Sequence, residues 1–194
     1  MPPAKSVKSL ILFASGKGSN AQAIIRYFHK SNLASVTLIV CNNANAGVLD
    51  IAKVHNIPFL IIDKQTFQEK LMLEQLREHH PDLIVLAGFL WKIPDHLLKE
   101  FPDKIINIHP ALLPKFGGKG MYGQKVHEAV LAAGETETGI TIHFVNENYD
   151  EGAHIVQAFC RLALSDTPIV VAEKVSKLEQ AFYPKTIEYL LNEQ

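Results

Sequence analysis

The sequence predicts an α/β protein built on an open, doubly wound, mostly parallel sheet with an antiparallel carboxyl-terminal portion, a Rossmann-type arrangement. Three observations point there. Short apolar runs rich in Val, Ile and Leu alternate with longer amphipathic stretches as far as Ile108, the pattern of strands buried on both faces and covered by helices. The first run, "LILFA", breaks at Ser15-Gly16 into a glycine turn that opens a helix. After Gly123 two strand-like runs, "GITIHFV" and "AHIVQAFCRLAL", are separated only by the polar "NENYDEG", and such a pair reads as antiparallel.

In chain order, the spacing predicts strands over residues 8–14, 36–41, 58–62, 83–88 and 104–108, with helices over 20–31, 46–55, 67–79 and 95–100 between them. "QKVHEAVLAAG" reads as a further helix. A last helix begins near Thr167-Pro168, where Thr can cap and Pro suits the first turn, and Pro184 is expected to break or kink it. No repeat, low-complexity tract or linker interrupts the chain. With 194 residues and 47% hydrophobic content, a single domain over 1–194 is expected.

Charge is nearly balanced, 19 Lys and Arg against 20 Asp and Glu, so no global field recruits nucleic acid or an anionic membrane. An anionic ligand must be held locally. Cys41 and Cys160 lie alone in apolar runs and read as buried thiols, and the nine histidines form no H-E-x-x-H, so no metal is expected. Lys5 and Lys8 precede the apolar run Leu10 to Ala14, which is too short for a signal segment or a membrane span. A cytoplasmic protein without membrane contact follows as the expectation.

Two places carry chemistry. "ILFASGKGSNAQAII" is strand, glycine turn and helix: Gly16 and Gly18 sit where backbone approaches a ligand, and the N–H groups of Ser19, Asn20 and Ala21 open the helix as an anion site suited to phosphate. A dinucleotide is disfavoured, because the second strand ends in Cys41, Asn42 and Asn43 with no carboxylate for a ribose. The second place is "INIHP". Side chains two apart on a strand share a face, so Asn107 and His109 project together at a strand's carboxyl end, where open α/β sheets bind ligands. Together they can grip an oxygen on which negative charge develops during attack on a carbonyl. Neither is a good nucleophile there, so direct transfer without a covalent enzyme intermediate is expected. A carboxylate is wanted to orient or charge the histidine; Asp150, Glu147 and Glu151 all lie in the turn "NENYDEG", and spacing does not choose among them.

The segments "SGKGSN", "NIHPALLPKF" and "YDEGAHIVQ", with "PDLIVLAGF" and "LEQAFYP", resemble the folate-dependent formyltransferases along nearly the whole chain, most specifically the branch that formylates 5-phosphoribosylglycinamide (glycinamide ribonucleotide) in purine synthesis. The resemblance implies 10-formyltetrahydrofolate as co-substrate and selects Asp150, making Asn107, His109 and Asp150 the catalytic set, with Asp150 holding His109 protonated and relaying a proton. It further implies Gly18, Ser19 and Asn20 on the ribonucleotide phosphate and Glu179 on the ribose or glycinamide end. The folate is implied to lie against Leu90, Trp91, Lys92 and Ile93 and against the loop from Asn146 to Asp150, with Asn107 at its reactive end. Gly117, Gly118, Gly120 and Gly123 predict a mobile flap over the site, with Lys115 or Lys119 near ligand anions. The branch acting on methionyl-tRNA carries a further carboxyl-terminal domain, and this chain stops at Gln194 without a basic extension, so small molecules rather than nucleic acid are the expected partners. A monomer or weak homodimer is expected.

Overall fold

The structure, a computed structural model, describes residues 7–193; Lys5 lies outside them. The chain divides into two compact units, one reaching to Phe89 and taking in the last residues from Ile187, the other Leu90–Thr186.

The first unit contains β1 (Lys8–Ala14), α1 (Ser19–Ser31), β2 (Ala34–Cys41), α2 (Val48–Val54), β3 (Phe59–Ile61), a 3-10 turn (Thr66–Gln68), α3 (Lys70–Glu78) and β4 (Leu83–Leu86). β1 pairs in parallel with β2 and β4, and β2 with β3. Leu10 to Ala14 and Leu83 to Leu86 are buried throughout, which is why these runs lack polar alternation. Phe13 packs edge-on against Phe89 at 5.2 Å between ring centroids, and Phe89 against Phe67 at 5.6 Å. The helix expected over 67–79 is divided. The Asp63 carboxylate accepts the N–H groups of Gln65 (2.9 Å) and Thr66 (2.8 Å), winding a tight turn, and Glu69 is extended before α3 starts at Lys70.

The second unit contains α4 (Asp95–Glu100), β5 (Ile105–His109), α5 (Gln124–Ala132), β6 (Glu137–Phe144), β7 (His154–Arg161) and most of α6 (Pro168–Glu193). β6 runs antiparallel to both β5 and β7, as expected of the carboxyl-terminal strands. Along the sheet the strands follow the order β3-β2-β1-β4-β5-β6-β7, with helices flanking, so the expected fold class holds.

Pro184 does not break the last helix, which continues to Glu193. Proline withholds one backbone donor, but Tyr183 beside it is fully buried with its hydroxyl donating to the Ile106 carbonyl (3.3 Å), and the Thr186 hydroxyl donates to the Phe182 carbonyl (2.9 Å). Packing on either side of the proline outweighs the lost bond. The amino-terminal reading stands: the Val170 N–H reaches the Thr167 hydroxyl at 3.4 Å, and Pro168 opens the helix.

Candidate active site

Asn107 and His109 project from one face of β5, and the antiparallel register sets His143 opposite Asn107 and Thr141 opposite His109. Asp150 reaches them from the turn between β6 and β7. Its Oδ2 lies 3.5 Å from His109 Nδ1, and its Oδ1 lies 3.7 Å from His143 Nε2. The Asn107 amide nitrogen is 3.2 Å from His143 Nε2. One amide, two imidazoles and one carboxylate therefore lie in one cluster at the carboxyl end of β5, with Asn107, His109 and Asp150 among them. Glu147 and Glu151 are exposed in the same turn.

The loop after β5 returns over this cluster. Thr141 pins its start: its hydroxyl donates to the Ala111 carbonyl (2.8 Å) and accepts the Leu113 N–H (3.0 Å), while the Gln157 amide donates to Thr141 Oγ1 (2.9 Å) and the Leu113 carbonyl (3.0 Å). The chain then delivers the Phe116 carbonyl to His109 Nε2 at 2.8 Å and the Gly118 N–H to Asp150 Oδ2 at 2.9 Å. The front of the expected flap is thus bonded to both members of the pair. Phe116 (φ 57°) and Asp150 (φ 58°) both sit in the left-handed region, which is uncommon for a bulky residue such as Phe116 and better tolerated by an aspartate. Lys115 is engaged with Glu135 at 2.7 Å, whereas Lys119 is exposed.

A carbonyl only accepts, so His109 Nε2 carries a proton, and Nδ1 is the position that faces Asp150. Burial pushes the His109 imidazole below its ordinary value; Asp150 and the Phe116 carbonyl pull it up, and His143 adds to the downward push. The protonated His109 expected from the resemblance is therefore disfavoured in the free protein, because His109, only 3% exposed, has lost too much solvation for its carboxylate to restore. For Asp150 burial pushes upward, but His143, His109 and the Gly118 N–H together outweigh it and hold the carboxyl below its usual range. The resting pair is a charged carboxylate facing a neutral ring.

In the first unit, α1 opens directly after Gly18, whose φ of 82° is left-handed and whose added Cβ would stand 2.8 Å from Ile51 and 2.9 Å from Val48. Only glycine fits both demands. The first helical bond runs from the Gln22 N–H to the Gly18 carbonyl (2.8 Å), so the N–H groups of Ser19, Asn20 and Ala21 precede the ladder, as an anion site requires. No side chain caps this end. Asn20 is 7% exposed with its side-chain oxygen buried and unpartnered, so its backbone N–H and not that oxygen is the group suited to phosphate.

Of the residues tied to folate, Leu90 and Lys92 are exposed and Trp91 is half-buried, so these side chains can reach a ligand. Ile93 is 2% exposed and packs as core, which leaves only its backbone for that role. The Asn146 side-chain oxygen accepts the Asn148 N–H (3.0 Å), shaping the turn that carries Asp150. Glu179 is half-buried on α6, one turn before Tyr183. The sequence reading missed His143. Its signal was the alternation of Thr141 and His143 inside an apolar strand, legible as site residues only once the strand's partner is known.

An amide and an imidazole at a strand end, backed by a carboxylate, are the equipment of carbonyl-transfer chemistry, and the chain belongs to the formyl transferase family, whose sequence profile matches residues 8–187. Among its relatives, the chloroplastic phosphoribosylglycinamide formyltransferase of Arabidopsis thaliana is 39% identical over 194 residues, 96% of this chain and 66% of that protein. The chain thus spans just under two thirds of that plant relative. Phosphoribosylglycinamide formyltransferase of Bacillus subtilis (strain 168) is 38% identical, with 95% of each chain covered. The crystal structure of phosphoribosylglycinamide formyltransferase from Anaplasma phagocytophilum superposes with a TM-score of 0.88 at 31% identity, covering 97% of this chain and 89% of that one.

Proposed function

We propose that the chain transfers a formyl group from 10-formyltetrahydrofolate to the primary amine of glycinamide ribonucleotide, yielding the N-formyl ribonucleotide and tetrahydrofolate in purine biosynthesis. The observation that carries this reading is the cluster at the end of β5 in which Asp150 lies 3.5 Å from His109 and 3.7 Å from His143, and His143 in turn meets the Asn107 amide at 3.2 Å. Family membership and the names of the high-coverage relatives support the substrate assignment.

In this account the substrate amine attacks the formyl carbon, the new C–N bond forms, and the carbonyl electron pair moves onto oxygen. An Asn107 N–H stabilises that oxyanion. His109 contributes in two stages. Its Nδ1 faces Asp150, so a proton taken up there from solvent before the attack is charge-paired as it arrives; the resulting imidazolium donates from Nε2 to the oxyanion once the Phe116 carbonyl gives way, and returns that proton to solvent after the oxyanion collapses. Asp150 relays the proton lost by the amine to the folate nitrogen as the bond between that nitrogen and the formyl carbon breaks. The N–H groups of Gly18, Ser19 and Asn20 hold the phosphate, Glu179 meets the ribose or glycinamide end, and Leu90, Trp91, Lys92, the Ile93 backbone and the Asn146 to Asp150 loop receive the folate.

Absorbance at the folate chromophore, with mass analysis of the ribonucleotide, tests the assignment. Turnover that requires glycinamide ribonucleotide and yields its N-formyl derivative is the expected result. Hydrolysis of the formyl folate without ribonucleotide would make the chain a deformylase, and nucleotide binding with no turnover in either condition would make it a sensor.

A further inference from the structure

We propose that His143 is the positioning residue that turns the Asn107 amide so that its N–H groups, not its oxygen, face the reacting carbonyl. His143 Nδ1 stands 2.8 Å from the Phe144 carbonyl. A carbonyl cannot donate, so Nδ1 carries the proton, and Nε2 of the neutral ring is a bare acceptor. Nε2 is the atom that meets the Asn107 amide at 3.2 Å, and a bare acceptor accepts only an N–H. The tautomer of one histidine therefore fixes which end of the asparagine amide is turned to His143, leaving the second N–H of the same nitrogen for an oxyanion. Were the amide reversed, its oxygen would oppose the developing negative charge.

The backbone around His143 is built to hold that tautomer. Antiparallel pairing sets His143 directly across from Asn107, and a register shift between Ile142 and His143 marks a local irregularity where a strand can re-aim a side chain. The turn carrying Asp150 then returns over the same carbonyl. A Cβ on Gly152 would stand 1.7 Å from the Phe144 oxygen and 3.5 Å from His143 Nδ1. The Phe144 N–H donates to the Ala153 carbonyl at 2.9 Å, so the residue whose carbonyl orients His143 is itself tied to the chain that delivers Asp150. The "D-E-G" of the sequence has a reason here: glycine two residues after Asp150 lets the backbone cross the Phe144 carbonyl closely enough for both groups to reach the site.

The inference rests on the formyl-transfer reading only where activity is the readout, so two measurements are paired. Nitrogen-15 NMR of the imidazoles in the intact protein at pH 8, with His143 assigned by its loss in His143→Gln, reads the tautomer without substrate. A protonated Nδ1 with unprotonated Nε2 is expected; the opposite tautomer overturns the proposal. In the formyl-transfer assay, His143→Leu removes the acceptor and is expected to lower kcat by about 10- to 100-fold, less than outright loss of an oxyanion donor, with KM for both substrates within about twofold. His143→Gln, which offers a side-chain oxygen to the Asn107 N–H, is expected to recover about tenfold of that loss. Equal kcat for His143→Leu and the parent, or equal defects in the Leu and Gln variants, overturns the proposal. A parent without formyl transfer removes the functional reading and leaves the tautomer result to decide this one.

Discussion

Asp150 is charged because His143, His109 and the Gly118 N–H together outweigh its burial, and His109 is neutral because its burial outweighs one carboxylate. That inequality sets a prediction. If the imidazolium is the form that donates in the transition state, activity is lost as pH rises through the His109 pKa, and Asp150→Asn lowers that pKa further by removing its main upward pull. The alkaline limb of kcat/KM is expected to move to lower pH in Asp150→Asn, alongside reduced turnover. An unmoved limb would transfer the role to Glu147 or Glu151. Asn107 and His109 were legible in the sequence because a period of two and a terminal proline suffice to place them on one face at a strand end. His143 was not, because its importance lies in being opposite Asn107, and strand pairing is written in no local pattern.

At the level of elements, most strands and helices were legible from apolar periodicity, and the departures share a cause. The helix expected over 67–79 starts only at Lys70, behind a 3-10 turn that forms because Asp63 captures two backbone donors, a local competition that periodicity ignores. Pro184 lies inside α6 because the buried Tyr183 and Thr186 hold the helix on either side of it. The loop between β5 and α5 was expected as a flap from its glycines, yet the bonds from its backbone to His109 and Asp150 were invisible, since a carbonyl and an N–H belong to every residue type. In the proposed mechanism these bonds give the loop a role: the Phe116 carbonyl occupies the Nε2 position that would donate to the oxyanion.

Over the whole molecule, the fold class was legible because alternation of strand and helix is a property of the entire chain. The division at Phe89 and Leu90 left no trace, because it falls within the apolar "LAGFLWKI" rather than in a linker. Stability carries the signature of the buried histidines. Burial pushes both His109 and His127 below their ordinary value, and His127 keeps an unpartnered, buried Nδ1. Since the unfolded chain protonates these rings near an ordinary pKa of about 6.5 while the folded protein resists, their contribution is present above that pH and is lost as pH falls. Asp150, depressed when folded, gives stability present above an ordinary carboxyl value of about 3.9 and lost as pH falls through its lower, folded value. Calorimetry from pH 7.5 to 5.5 is expected to show a falling melting temperature, and His127→Leu is expected to flatten the slope; a parent slope of zero, or one unchanged by that substitution, would contradict the assignment.

The turnover number of Asn107→Ala, measured beside its melting temperature, tests the central claim most directly. The account predicts a fall in kcat on the order of 10² to 10³ with folding largely intact, as expected when one oxyanion donor is removed. Turnover close to that of the parent in a folded variant would take Asn107 out of the chemistry and the mechanism with it.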